Sequence, residues 1–356
     1  MHHPRRILIL GASYGSLLGI KLVMAGHRVT LVCLPNEVAL INREGIRVRL
    51  PLKGRADLVE LSSLQSPGRL DAAGPAEVIP ADYDLVALAM QEPQYRSPGV
   101  RDLLQAVAKS RVPCMSIMNM PPLPYLARLP GVDAAACRGA YTDPAVWDGF
   151  DPATMTLCSP DPQAFRPPEE ALNVLQVRLP TNFKVASFPS AAHTELLRGL
   201  QADIEAIRHT VDGQTVELAV KLKVHDSVFV PLAKWAMLLA GNYRCVTAQG
   251  VRAIRDAVHA DLQASREVYD WVCMLCRTLG AAQADLVPFD KYAAAAQGLA
   301  SPSSAARALY GGALHIERVD RLVQAIAAQR GLRHPAVDEV VALVDAQLER
   351  NRAAKN

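Results

Sequence analysis

The sequence predicts an α/β protein: a doubly wound parallel sheet followed by a mainly α-helical C-terminal domain. Three observations carry this. A buried-looking strand, a glycine turn, a helix and a second strand follow one another between Arg6 and Cys33. Short apolar runs then alternate with helical spacing to about Met118. Beyond about Ala191 proline thins out and long helical periodicities take over.

The first element, Arg6-Ile-Leu-Ile-Leu10, is a short continuous apolar run, the pattern of a strand covered on both faces. Residues 16–25 carry apolar side chains at helical spacing, and residues 28–33 are rich in β-branched ones, so the segment composes a βαβ unit. Further strands are expected at residues 46–50, 85–89 and 114–118, with a helix at 100–109 between the last two. Shorter strand-like pieces at residues 138–141, 155–158, 175–179 and 184–188, amid many prolines, should extend or edge the same sheet. Helices are expected at residues 195–209, 230–239, 251–279, 316–329 and 337–348. A chain of 356 residues has material for two domains at roughly 100 to 200 residues each. These are read as residues 1–190 and 191–356, with the boundary inside residues 187–193.

Composition narrows the function classes. With 38 basic against 35 acidic side chains and a net charge of +3, no field is strong enough to imply nucleic acid as a partner. No stretch of about 18 uncharged apolar residues exists, so no membrane partner is expected. The 7 cysteines are thinly spread and odd in number, which fits a reducing cytoplasm better than a disulfide framework. The basic start and apolar run at the N-terminus mimic an export signal, but the Gly11 to Gly15 turn and Lys21 interrupt it, and a cytoplasmic location is expected. Cys273-Met-Leu-Cys276 has metal-like spacing yet sits inside a helical pattern without a second pair, so no metal site is expected. The partner is then a small-molecule substrate, and a homodimer stays open.

Chemistry begins at the first turn. In a βαβ nucleotide site, glycines allow a tight turn and a close backbone approach to a pyrophosphate resting on the helix N-terminus. Counted from Gly11, the G-x-G-x-x-G positions read Gly11, Ser13 and Ser16, so one of three matches; taken one residue short, the turn keeps its first and last glycines. Its placement between strand and helix makes Gly11, Ala12, Ser13, Tyr14 and Gly15 candidate cofactor-binding residues, with a plain packing turn as the structural alternative. At the end of the second strand an acid would select NAD and an arginine NADP, but Leu34-Pro35-Asn36 supplies neither.

The basic residues divide into 29 Arg and only 9 Lys, so a lysine in an apolar segment is informative. Lys234 lies in Phe229-Val-Pro-Leu-Ala-Lys-Trp-Ala-Met-Leu-Leu-Ala-Gly-Asn-Tyr243, which has almost no polar face. A buried ammonium loses solvation and its pKa falls toward neutrality, which suits a proton donor to a carbonyl oxygen. A lysine snorkelling from the helix edge is the alternative. Eight α-helical residues rotate by about 800°, placing Asn242 some 80° from Lys234 on the same broad face.

These residues together resemble the ketopantoate reductase (2-dehydropantoate 2-reductase) family over nearly the whole chain. The likeness rests on Ile9-Leu-Gly-Ala-Ser-Tyr-Gly-Ser-Leu-Leu-Gly19, on Gly26-His-Arg-Val-Thr-Leu-Val32 with Asn42-Arg-Glu-Gly45, on Asn119, on Lys234 with Asn242, and on Ser303-Ser304 followed by Glu317. The resemblance implies a Rossmann-type domain joined to a helical one, NADPH as cofactor with NAD left open, and reduction of a 2-oxo acid to a 2-hydroxy acid. It further implies Lys234 as the catalytic lysine, Glu317 as a catalytic-site glutamate, and Asn242 with Ser303 or Ser304 as substrate contacts. Asn119 matches an asparagine near the nicotinamide and substrate, and Gln91 stands where many members carry a lysine near the cofactor ribose. The pattern is departed from at Leu238, which replaces an asparagine, at Met120-Pro121-Pro122 after Asn119, and at Leu34, which replaces the arginine for the NADP phosphate. The departures point away from ketopantoate itself and toward a smaller NADPH preference. An opine- or imine-type or alcohol dehydrogenase, or a non-catalytic dinucleotide sensor, are the alternatives.

Overall fold

In a computed structural model, which describes residues 3–355, the strand Arg6–Leu10 lies at the centre of the molecule's largest sheet, with Ile7, Leu8, Ile9 and Leu10 wholly buried. It pairs in parallel with Arg28–Val32 on one side and Leu85–Leu88 on the other. Among the described residues the sheet has eight strands, in the order Leu222–His225, Phe183–Ala186, Met155–Ser159, Cys114–Ile117, Leu85–Leu88, Arg6–Leu10, Arg28–Val32, Arg69–Ala73. Six of these run parallel, and the pair Phe183–Ala186 and Leu222–His225 runs the other way at one edge. The helices Gly15–Met24, Pro35–Glu44 and Pro98–Ser110 supply crossovers, the last two opening on a proline whose fixed φ suits a first helical position. Met1 and His2, at the start of the segment that mimics an export signal, and Asn356 lie outside the described residues.

Chain order reverses beside Arg6–Leu10: the chain first moves outward to Arg28–Val32 and Arg69–Ala73, then returns to Leu85–Leu88 on the opposite side. In doubly wound sheets, ligands bind outside the carboxyl ends of the strands at such a switch point. The Gly11 to Gly15 turn follows directly on that central strand.

Several expectations are corrected. Residues 46–50 and 175–179 leave the main sheet for a second one of order Leu58–Ser62, Arg47–Pro51, Val174–Leu179, Gln163–Phe165. The reason is visible in Arg47–Pro51, where buried Val48 and Leu50 alternate with Arg47 and Arg49, a pattern for a strand with one covered face rather than two. Residues 138–141 are not a strand, because Ala135–Ala140, with its alanines and Gly139, winds into a 3-10 helix. The 251–279 helix breaks into Ile254–His259 and Leu262–Thr278 where the Asp261 carboxylate accepts the Ala264 N–H and caps the second piece.

The chain divides into two units. The first holds residues up to Met90, Gln94–Met118 and Val146–Asp226, and the second Gln91–Pro93, Asn119–Ala145 and everything from Ser227 onward. The change of texture near Ala191 therefore marks a helix, Ala191–Glu205, that still belongs to the first unit: Leu197, Leu200 and Ile204 join that unit's apolar core. The second unit is mainly helical, ending in Phe289–Ala296, Ser304–Tyr310, Val319–Ala328 and Pro335–Ala353. Among the described residues no helix is long and apolar enough to cross a membrane.

Candidate functional site

In the first unit, Gly11 leaves its strand with φ +108°, and a Cβ there would sit 2.7 Å from Met90 Cγ and 2.9 Å from the Ala89 carbonyl oxygen. Both conformation and space therefore demand glycine. The Gly11 N–H donates to the Val32 carbonyl at 2.9 Å and the Ala89 N–H to the Leu10 carbonyl at 2.8 Å, tying the turn between three strand ends. Gly15 serves differently from the expectation that it makes room for phosphate. A Cβ there would meet Ile9 Cγ2 at 2.6 Å and Ala89 Cβ at 3.4 Å, so this glycine lets the helix lie close on the sheet. Tyr14 is anchored too: its hydroxyl donates to the Pro162 carbonyl at 2.7 Å and its ring meets Phe183 edge-on at 5.8 Å. Ser13 is exposed, and the backbone of Ala12, Ser13 and Tyr14 leads into the N-terminus of a ten-residue helix. A turn with no room for a Cβ and a helix N-terminus directly behind it fits a pyrophosphate anion. Gly15→Val is accordingly expected to act through overpacking, costing about 1 to 3 kcal/mol and lowering the melting temperature. Thermal denaturation checks this, and an unchanged melting temperature would count against the close packing.

The second unit brings together Glu317, Asn119 and Glu92, which are far apart in sequence. One Glu317 oxygen accepts from Asn119 Nδ2 at 3.3 Å and the other from the Glu92 backbone N–H at 3.4 Å. Glu317 is buried and precedes the helix Val319–Ala328, whereas the sequence put it inside that helix. Its backbone is gripped by Tyr243, whose hydroxyl donates to the Glu317 carbonyl and accepts the Val319 N–H at 3.0 Å. The neighbouring Arg318 is held by the buried Asp320 carboxylate at 2.9 Å and by Asp345. Burial pushes the Glu317 carboxyl up to about 7; the Asn119 and Glu92 hydrogen bonds and the Lys234 charge pull against it, while the Glu92 carboxylate adds to the rise. Glu92 is itself buried, which raises its pKa, and it accepts from the Thr142 hydroxyl at 2.8 Å and the Thr142 N–H at 3.0 Å. Asn119 Oδ1 is buried with no protein donor, an acceptor left open for an amide or hydroxyl of a ligand. Within the first unit, the Gly11 cradle is what the pyrophosphate of a nicotinamide dinucleotide would require.

The expected helix over residues 230–239 is instead a composite: a 3-10 turn Val230–Ala233, an α turn Lys234–Met237 and a π turn Leu238–Asn242. Single π turns inside helices recur at functional sites. The widening has causes in the packing around it. A Cβ on Gly241 would lie 2.0 Å from the Tyr292 hydroxyl, which instead donates to the Met237 carbonyl at 3.1 Å. Ser303 Oγ donates to the Asn242 carbonyl at 2.7 Å and the Cys245 thiol to the Gly241 carbonyl at 3.5 Å, so the carbonyls of the wide turn find side-chain donors. A π turn uses fewer degrees per residue than an α turn, so Asn242 falls closer in angle to Lys234 than the α-helical 80° or so. Lys234 is half-buried, not enclosed.

The sequence-derived site residues thus separate. Lys234, Glu317 and Asn119 come together, with Asn242 on the Lys234 helix. Ser303 is committed elsewhere: besides its bond to Asn242, its oxygen accepts the Ala306 N–H at 3.2 Å and caps the helix Ser304–Tyr310. Ser304 and Gln91 are exposed. The sequence does not mark Glu92 or Tyr292, and Tyr243 carries a signal only as the hydroxyl-bearing residue that ends the apolar Phe229 to Tyr243 segment. In the Cys273-Met-Leu-Cys276 segment burial pushes the thiols up to about 11 and about 12, away from the thiolate form that binds metals.

A parallel sheet with its glycine turn at the switch point, joined to a helical unit, defines a Rossmann-type fold of the two-part kind. No protein-family model and no curated protein matches the sequence. Solved structures do match in fold. A candidate ketopantoate reductase from Ralstonia solanacearum aligns with a TM-score of 0.66 at 14% identity, covering 98% of this chain and 99% of that one. The 2-dehydropantoate 2-reductase from Methylococcus capsulatus gives 0.65 at 16% identity, covering 97% of each chain. D-Mandelate dehydrogenase in its ternary structure with NADH and anilino(oxo)acetate gives 0.62 at 13% identity, over 98% of this chain and 99% of that one. The chain has the fold of the ketopantoate reductases, as the sequence resemblance implied.

Proposed function

We propose that this chain is an NAD(P)H-dependent oxidoreductase acting on a 2-oxo acid and 2-hydroxy acid couple, with Lys234 as general acid. The observation that carries the reading is the buried Glu317 carboxylate, held by Asn119 and the Glu92 N–H within reach of the Lys234 charge. Perturbed carboxylates beside a lysine are characteristic of sites that move protons. A nicotinamide cofactor supplies the hydride for the carbonyl carbon when bound. Lys234 stabilises negative charge developing on the carbonyl oxygen and delivers its proton there. Ionised Glu317 orients the Lys234 amine, and the open Asn119 oxygen accepts an N–H or O–H of cofactor or substrate. The Asn242 amide, on the same helix as Lys234, binds a polar group of the substrate. Buried Leu238, where the family carries an asparagine, favours a 2-oxo acid with an apolar substituent over hydroxylated ketopantoate. The likeness to D-mandelate dehydrogenase supports this wider substrate class.

The test is a panel of 2-oxo acids, imines and alcohols assayed with NADPH and NADH by nicotinamide absorbance. Turnover confined to 2-oxo acids is expected; turnover of imines alone would replace the substrate class, and binding without turnover would favour a sensor. Because Glu317 ionises near pH 7, reduction is expected to gain rate as pH rises through about 7, and Glu317→Gln should remove that limb of the kcat/KM profile. An identical limb in both proteins would take Glu317 out of the mechanism.

A further inference from the structure

The end of the second strand, where position 34 offers no cation, has one brought from elsewhere in the first unit. Arg166 follows the strand Gln163–Phe165, and its Nη2 lies 2.5 Å from Glu37 Oε1 in the first turn of the helix Pro35–Glu44. The other Glu37 oxygen accepts the Leu34 N–H at 3.3 Å, so the carboxylate is fixed on one side by the helix start and on the other by the guanidinium. Both charges act on Cys33, the residue directly after the strand Arg28–Val32: its thiol, pushed up to about 12 chiefly by burial, is raised further by Glu37 and lowered by Arg166.

Two backbone links place this pair beside the cofactor turn. The Val32 carbonyl accepts the Gly11 N–H, and Pro162, four residues before Arg166, accepts the Tyr14 hydroxyl. The segment from Pro162 to Arg166 therefore spans from the glycine turn to the end of the second strand. Arg166 Nη2 is itself buried and makes an ion pair with Glu37 but no hydrogen bond, no hydrogen bond of Nε or Nη1 is seen among the described residues, and the side chain is 24% exposed. Leu34, at the same strand end, is 64% exposed. A guanidinium oriented on one edge by a carboxylate, with its other donors open at the strand end, suits a phosphate monoester.

We infer that Arg166, oriented by Glu37, recognises the 2′-phosphate of NADP and so sets cofactor preference in place of an arginine at position 34. The inference rests on the nucleotide reading of the Gly11 to Gly15 turn. The experiment is calorimetric binding of 2′,5′-ADP and 5′-AMP to the full chain, with thermal melts as the folding control. Arg166→Ala is expected to weaken 2′,5′-ADP by about 10-fold to 100-fold while leaving 5′-AMP nearly unchanged. Arg166→Lys, which keeps the charge but not the fork, should fall between wild type and alanine and covers the case in which the alanine variant does not fold. The ratio of NADPH to NADH affinity should fall in the same order. An unchanged ratio of 2′,5′-ADP to 5′-AMP affinity in folded variants would overturn the inference while leaving the turn as a nucleotide site. Absence of binding by either nucleotide to the wild type would overturn the nucleotide reading, and the inference with it.

Discussion

Lys234→Ala is expected to cut turnover by about 100-fold to 10,000-fold while leaving nicotinamide cofactor affinity nearly intact, the usual loss when a positioned general acid is removed. The reason lies in what surrounds the amine. Lys234 opens a single α turn between a 3-10 and a π segment, half-buried, with its charge acting on a Glu317 carboxylate that donors on both oxygens and the Tyr243 clamp fix in place. Lys234→Arg should restore little, since a guanidinium stabilises an alkoxide but does not readily yield a proton. Steady-state kinetics on a substrate found by the panel, with melting curves to confirm folding, make the measurement. Near wild-type turnover in the alanine variant would leave Lys234 as a snorkelling structural residue and end the general-acid mechanism.

What was readable in the sequence follows from how far apart the cooperating residues are. The apolar run Arg6–Leu10, the glycine turn and the Gly15–Met24 helix are local, and their patterns carry directly into the central strand and its switch point. Arg47–Pro51 is visible in sequence as a strand, and its alternation announces a single covered face without naming the partner strand Val174–Leu179, which lies far along the chain. The π turn escaped because hydrophobic periodicity registers only that a helix is apolar; the widening depends on Gly241 meeting Tyr292, some fifty residues on. Glu317 could be picked out by resemblance, whereas its environment could not: Glu92, Asn119 and Tyr243 reach it from three separate segments. Ser303 is the opposite, local case. A serine before a helix is first of all an N-cap, and here the cap uses the hydroxyl.

Lys21, in sequence only an interruption of the N-terminal apolar run, is expected to govern the pH dependence of stability. It lies on the Gly15–Met24 helix, 1% exposed, with no ion-pair partner among the described residues. Burial lowers its ammonium to about 7, with the Lys221 charge acting in the same direction. In the unfolded chain a lysine titrates near its ordinary value of about 10.4. Between about pH 7 and about 10 the unfolded state therefore holds a proton that the folded state has released, so stability from this group rises with pH across that window. Below about 7 both states are protonated, and the cost of the buried ammonium is at its full, constant value. Lys21→Met keeps the volume and removes the charge, so at neutral pH it should stabilise the protein by about 2 to 4 kcal/mol. The measurement is the difference in unfolding free energy between variant and wild type as a function of pH: it should be largest at and below pH 7 and shrink toward pH 10. A difference that stays flat over that range would mean that Lys21 keeps its proton in the folded protein, with the helix accommodating the charge.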